Sequence, residues 1–217
     1  MTTPFTPPIR TRLLGLAKWL LLSALIAALA GTASASFMAA LNWASATHST
    51  HPWLILLLPA AGFASGWLYW RFGQAVEGGN NLLIEEVQQP RQVIALRMAP
   101  MIFVTTVLSH LVGASVGREG TAVQMGGTLA DQLTRVFKLC DNDRRMVLMA
   151  GMSAGFASLF GTPLAGAVFG LEVIVRGQMR YHALLPCTVA ALLARMEDAG
   201  IAVDDAVLAA RQTELDA

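Results

Sequence analysis

From Trp19 to Trp70 the chain carries no Asp, Glu, Lys or Arg. Fifty-two consecutive residues without a formal charge leave few options for folding. A helix rises about 1.5 Å per residue and the hydrocarbon core of a bilayer is about 30 Å thick, so such a run is long enough to cross a membrane twice. A second charge-free run, Met98 to Gly117, follows. Over all 217 residues 55% are apolar and 13% charged, about half the roughly 25% charge of a soluble domain. The expected fold class is all-α: a polytopic membrane protein with tilted, partly discontinuous helices.

The same composition excludes several functions. Net charge is +1 and no basic run occurs, so no nucleic-acid partner is expected. Cys140 and Cys187 lie far apart and form no CxxC, which suggests neither metal nor redox chemistry. No phosphate loop, nucleophile elbow or His/Cys cluster is found, so the chain is read as a non-enzyme without a cofactor. His48 and His51 have the spacing of a ligand pair, but in a short link they read first as polar loop residues. The ten methionines fit flexible core packing.

The spans expected from hydropathy are Leu13–Asn42, Trp53–Trp70 and Met98–Val116. Trp53, Trp67, Tyr69 and Trp70 serve as interface anchors. His48–Pro52 is a polar break, Arg71–Arg97 the most polar internal segment, Gly117–Phe137 mixed, and Lys138–Arg145 a charged turn. Met146–Val175 is a long apolar stretch broken at FGTP (Phe160 to Pro163), and Tyr181–Ala194 a shorter one. Arg10, Arg12 and Lys18 precede the first span, His48–Pro52 has no Lys or Arg, and Arg71, Arg91 and Arg97 follow the second. The positive-inside rule then sets the N-terminus in the cytoplasm. Ala33-Ser34-Ala35 after an apolar run also has the layout of a signal-peptide cleavage site, although the apolar pattern continues beyond it.

Three glycine pairs stand four residues apart: Gly113 and Gly117, Gly151 and Gly155, Gly166 and Gly170. Each is suited to close helix approach. With Gly-Thr-Pro inside an apolar run they also suit helices interrupted at membrane depth, whose N-termini hold an anion through free N–H groups and the positive dipole end. The stretch GREGTAVQMGG (Gly117 to Gly127) places Arg118 and Glu119 at the end of the charge-free run. One helix is expected to end near Gly117 and the next to begin near Gly120. Glu119 at such a tip takes an anion's place when ionised and leaves it when protonated; the alternative is a helix cap at the interface.

GREGTAVQMG together with MAGMSAGFASLFGTPLAGAVFGLEVI resembles the CLC family of chloride channels and anion/proton antiporters, over about Gly78 to Glu172 and more loosely from the first span to Ala194. The resemblance implies the first half of a CLC-type inverted-repeat fold. It implies that Glu119 is the gating and proton-coupling glutamate, with Gly117, Arg118, Gly120 and Thr121 completing its motif. Gly79, Asn80 and Asn81 fall on the first anion-binding motif, Asn80 at the serine that touches the anion. Thr121 in place of proline and Asn80 in place of serine resemble the fluoride/proton branch. Val173 stands where chloride/proton exchangers have an internal proton-transfer glutamate, and Glu172 matches the acid before it. The implied partners are chloride or fluoride, protons, the lipid bilayer of the cell membrane, and a second copy in a homodimer. Whether the chain is a channel or an exchanger stays open.

The family's second-repeat motif is not found in these residues. Arg195–Ala217 holds eight charged residues, six of them acids, and VDDAVLAARQTELDA reads as a soluble amphipathic helix. The expected division is residues 1–194, a CLC-like transmembrane repeat, and 195–217, a polar tail derived from truncation or a frameshift. A non-conducting remnant, pairing with a full-length relative, is the alternative function.

Overall fold

The computed structural model describes residues 9–172 and 183–194. Val173 and the tail from Arg195 to Ala217 therefore lie outside the described residues. All regular structure among the described residues is helical: α1 (Ile9–Thr50), a 3₁₀ turn (Pro52–Leu57), α2 (Leu58–Leu68), a π turn (Tyr69–Gly73), α3 (Asn80–Gln88), α4 (Met98–Leu111), α5 (Glu119–Phe137), α6 (Asp141–Phe160), α7 (Pro163–Glu172) and α8 (Leu184–Ala194).

Among the described residues two helical stretches are long and apolar enough to cross a membrane, Gly15–Thr50 and Pro52–Gly73. At about 1.5 Å per residue α1 is some 60 Å long, twice the hydrocarbon thickness, so it runs past the bilayer or tilts strongly. It continues through His48, so the polar break expected at 48–52 is confined to His51 and the 3₁₀ turn. Ser34, within the cleavage-like triplet, accepts a 2.7 Å hydrogen bond from Ser158 of α6; this stretch is packed into the fold. The second span is composite. Pro52 and Pro59 each sit at N1 or N2 of a helical piece, where the missing N–H costs nothing. None of its residues from Pro52 to Leu68 is buried, and Phe63 is 77% exposed. An apolar helix without a buried face is what lipid contact requires.

The described residues of α4, α7 and α8 form apolar helices of 10 to 14 residues. They pack against a central pair, α5 and α6. The mixed segment expected over Gly117–Phe137 is in fact one continuous helix, with Thr121 to Thr128 buried without interruption. Mixed composition hid it, because the polar residues Gln124, Thr128 and Asp131 face inward.

Small residues bring α5 and α6 into backbone contact. A β carbon on Gly126 would lie 3.1 Å from the Gly155 backbone, and one on Gly151 would lie 2.6 Å from the Gly126 carbonyl oxygen. Gly166 and Gly170 repeat the device between α7 and α6, against Ser153 and Ala157. The pair Gly113 and Gly117 does something else. It lies in the non-helical linker after α4, and Gly113 adopts φ +83° with the His48 ring filling the space a side chain would take. His48 Nδ1 also contacts the Leu111 carbonyl at 3.2 Å, at the end of α4.

Candidate functional site

Two helix N-termini converge in this fold. The first belongs to α3. Gly79 is its N-cap, at φ +54° and ψ −126°, a conformation open to glycine and strained for residues with a β carbon. α3 starts at the exposed Asn80 and Asn81 and is buried from Leu83 onward on one face. The second belongs to α5, whose first residue is Glu119 and whose N-cap is Arg118. The preceding helix ends at Leu111, six residues earlier than expected, and 112–118 forms a linker. The Ala122 N–H bonds the Arg118 carbonyl at 3.2 Å. The N–H groups of the turn before it have no intrahelical acceptor and carry the positive end of the dipole.

The two ends meet at Asn80 and Gly120. A β carbon on Gly120 would lie 3.2 Å from Asn80 Nδ2. Across the gap, a β carbon on Gly79 would lie 3.5 Å from Gln124 Nε2. Asn80 and Gly120, forty residues apart in sequence, thus form one small cradle. Gly79, Asn80, Gly120 and Glu119 are brought together here. Asn81 is exposed, and its N–H bonds the Gly78 carbonyl at 3.0 Å.

Glu119 makes no hydrogen bond or ion pair with any described residue. Its Oε2 lies 3.0 Å from the position of a β carbon on Gly117, so the side chain folds back over the linker. Glu119, Arg118 and Gly117 are exposed in the chain by itself. Thr121 is different from the rest of the expected set. Its hydroxyl bonds Thr106 Oγ1 of α4 at 2.9 Å and it is buried. The threonine in the proline position therefore ties α5 to α4, and its side chain is committed to that contact.

A residue the sequence reading passed over is Gln124, one turn beyond Gly120 on the same face of α5. A second omission lies behind the site. Arg144 of α6 donates to Glu86 of α3 (2.8 Å), to both carboxylate oxygens of Asp131 on α5 (2.8 and 2.9 Å), and to the Gln92 carbonyl (2.6 Å). Glu86 also accepts the Arg91 and Gln92 N–H groups, and Asp131 the Ile94 N–H. All three side chains are buried. This knot joins α3, α5, α6 and the 91–94 segment, at about 9 Å along α3 and about 18 Å along α5 from their N-termini. Little in the sequence marks it: Glu86 and Arg144 stand among other charged and polar residues, and only Asp131 is an isolated charge.

The family model "Voltage gated chloride channel" matches residues 61–214. A "Chloride/fluoride channel protein" of Pseudomonas syringae pv. tomato is 62% identical over 179 residues, 82% of this chain and 40% of that protein. An "H(+)/Cl(-) exchange transporter ClcA" of Vibrio vulnificus is 32% identical over 205 residues, 87% of this chain and 44% of the other. Among solved structures, that of a CLC-type fluoride/proton antiporter superposes with a TM-score of 0.82 at 38% identity, covering 93% of this chain and 49% of that one. A slow cyanobacterial Cl⁻/H⁺ antiporter gives 0.68 at 26% identity, covering 83% and 46%. The chain thus spans about two fifths to one half of the length of these relatives. With the paired helix N-termini, the GREG segment at the tip of α5 and the family match over residues 61–214, this chain belongs to the voltage-gated chloride channel family.

Proposed function

We propose that the chain binds a small anion, fluoride or chloride, between the N-termini of α3 and α5, as part of a transmembrane anion pathway coupled to protons. The observation that carries this reading is the cradle of Asn80 and Gly120, where the N-termini of two helices meet, with Glu119 the first residue of α5 and next to Gly120 in the chain. Glu119 is the group that competes with the anion when ionised and yields when protonated. Asn80 supplies an amide donor suited to a small hard anion, and Thr121 in the proline position goes with the fluoride/proton branch; fluoride is the preferred substrate. No catalysis of covalent chemistry is proposed. The chain resides in the cell membrane with its N-terminus in the cytoplasm, as the Lys and Arg distribution requires, and works as a homodimer.

A second reading draws on the exposure of Glu119, Arg118 and Asn80. The cradle is open on one side, so the chain completes its pathway only beside another chain and conducts nothing alone.

Liposomes loaded with fluoride or chloride and carrying the purified chain separate the two. Transport predicts fluoride release faster than chloride, accompanied by proton movement. Glu119→Gln should then remove the proton coupling, because an amide does not titrate. Flux at the level of empty liposomes for both forms supports the second reading.

A further inference from the structure

Gln124 is 91% buried, given its 9% exposure. Its side chain makes no hydrogen bond with any described residue. A primary amide brings two N–H donors and one acceptor; that of Gln124 is spent on no described residue and is not sealed from solvent, so it needs only a place to meet an outside partner. Its position supplies one. The amide lies 3.5 Å (Nε2) and 3.6 Å (Oε1) from the place of a β carbon on Gly79, and Nε2 lies 3.8 Å from that on Gly120. Both neighbours lack a side chain, so neither fills the space in front of the amide. Asn80 Nδ2 faces the same space.

We infer that Gln124 is an anion-binding, specificity-determining residue: its amide N–H donates to the anion held between the N-termini of α3 and α5, opposite the amide of Asn80. The inference rests on the anion-site reading above and adds to it the residue that closes the back of the cradle. The helix dipoles attract any anion and discriminate little by size. Directed amide donors discriminate, because a hydrogen bond to a charged acceptor strengthens as the charge becomes more concentrated. The bound ion fixes the amide orientation, turning Nε2 rather than Oε1 towards itself. Glutamine is also long enough to reach the cradle from one turn away while its Cβ stays in the α5 packing layer.

The test is titration of the purified 217-residue chain with sodium fluoride and sodium chloride by calorimetry, for wild type and for Gln124→Met, which keeps side-chain length and burial. Circular dichroism and size-exclusion elution establish that the variant is folded. The inference predicts that fluoride affinity falls at least about tenfold, the loss of one hydrogen bond to a charged group, while chloride affinity falls by less. Selectivity for fluoride thus drops. Where Gln124→Met does not fold, Gln124→Asn, which withdraws the amide by one carbon, reads the same change. Wild-type affinities retained for both ions in the folded variant would overturn the inference and leave the anion site standing. Equal losses for both ions would also overturn it, since they mark a distorted cradle. A wild-type chain that binds neither ion would overturn the anion-site reading itself, and this inference with it.

Discussion

Arg144→Met should lower stability by about 3–5 kcal/mol, the range for removing one partner of a buried charge pair. The guanidinium satisfies two carboxylates and a carbonyl at once. Asp131 is fully buried and Glu86 nearly so; without Arg144 both must be held as uncompensated anions or take up protons. The substituted side chain fills the space, so the loss is electrostatic rather than a cavity. Thermal melting followed by tryptophan fluorescence in detergent reads the effect: at about 2–4 °C per kcal/mol for a chain of this size, the drop should be roughly 6–20 °C. The deficit should shrink when Glu86→Gln and Asp131→Asn are added, because the stranded charges are then gone. A loss that persists unchanged in the triple variant would mean that Arg144 acts by packing alone. Because the knot joins α3 and α5, the same substitution should loosen the spacing of their N-termini.

Gly155→Leu should be at least as damaging, and more abrupt. A β carbon there would press on the Ala122 carbonyl, and the neighbouring contact with Gly126 is already between backbones. No rotamer relieves a clash that begins at Cβ, so α5 and α6 must separate. Overpacking typically costs about 1–3 kcal/mol in adaptable cores, occasionally more; here the obstacle is main chain in two helices. The expected outcome is loss of a monodisperse peak on size exclusion. Gly62→Leu is the control, since nothing lies within 4 Å of its β position on the lipid-exposed α2. If Gly155→Leu elutes and melts as wild type does, the close approach of α5 and α6 is not present in solution.

Much of this was legible in the sequence, for identifiable reasons. The charge-free run before Arg71 declares membrane-length helices because nothing in it tolerates a polar surface. FGTP declares the break before α7, where Gly161 takes φ +65° and Pro163 opens the next helix. GREG marks a helix tip, and Glu119 is the first residue of α5. Other features were hidden. The composition of α5 conceals a buried helix, because its polar stripe of Gln124, Thr128 and Asp131 stands at helical spacing but faces the protein interior rather than water. Gly113 looks like a helix-packing residue by spacing and serves as a positive-φ turn. The Arg144 knot joins residues up to 58 positions apart, and only the folded chain brings them together. Gln124 lies within the GREGTAVQMG stretch, but nothing in that stretch shows that it faces Gly79, which only the folded chain brings beside it.

The exposed position of Glu119 also clarifies the division of labour within the site. Gln124 is held by buried packing and the helices that carry Asn80 and Gly120 are tied by the knot, whereas Glu119 touches nothing fixed. On the proposed reading, the Glu119 carboxylate, unpaired among the described residues, is the part of the site that moves in and out of the anion's place, in competition with it.

That competition is read most directly by fluoride titration of wild type and Glu119→Gln at neutral pH. With the carboxylate competing for the cradle, removing its charge should tighten fluoride binding about tenfold or more, as an occupant and a repelling charge are lost together. Fluoride affinity equal to or weaker than wild type in Glu119→Gln would contradict the placement of the Glu119 carboxylate in the anion's position.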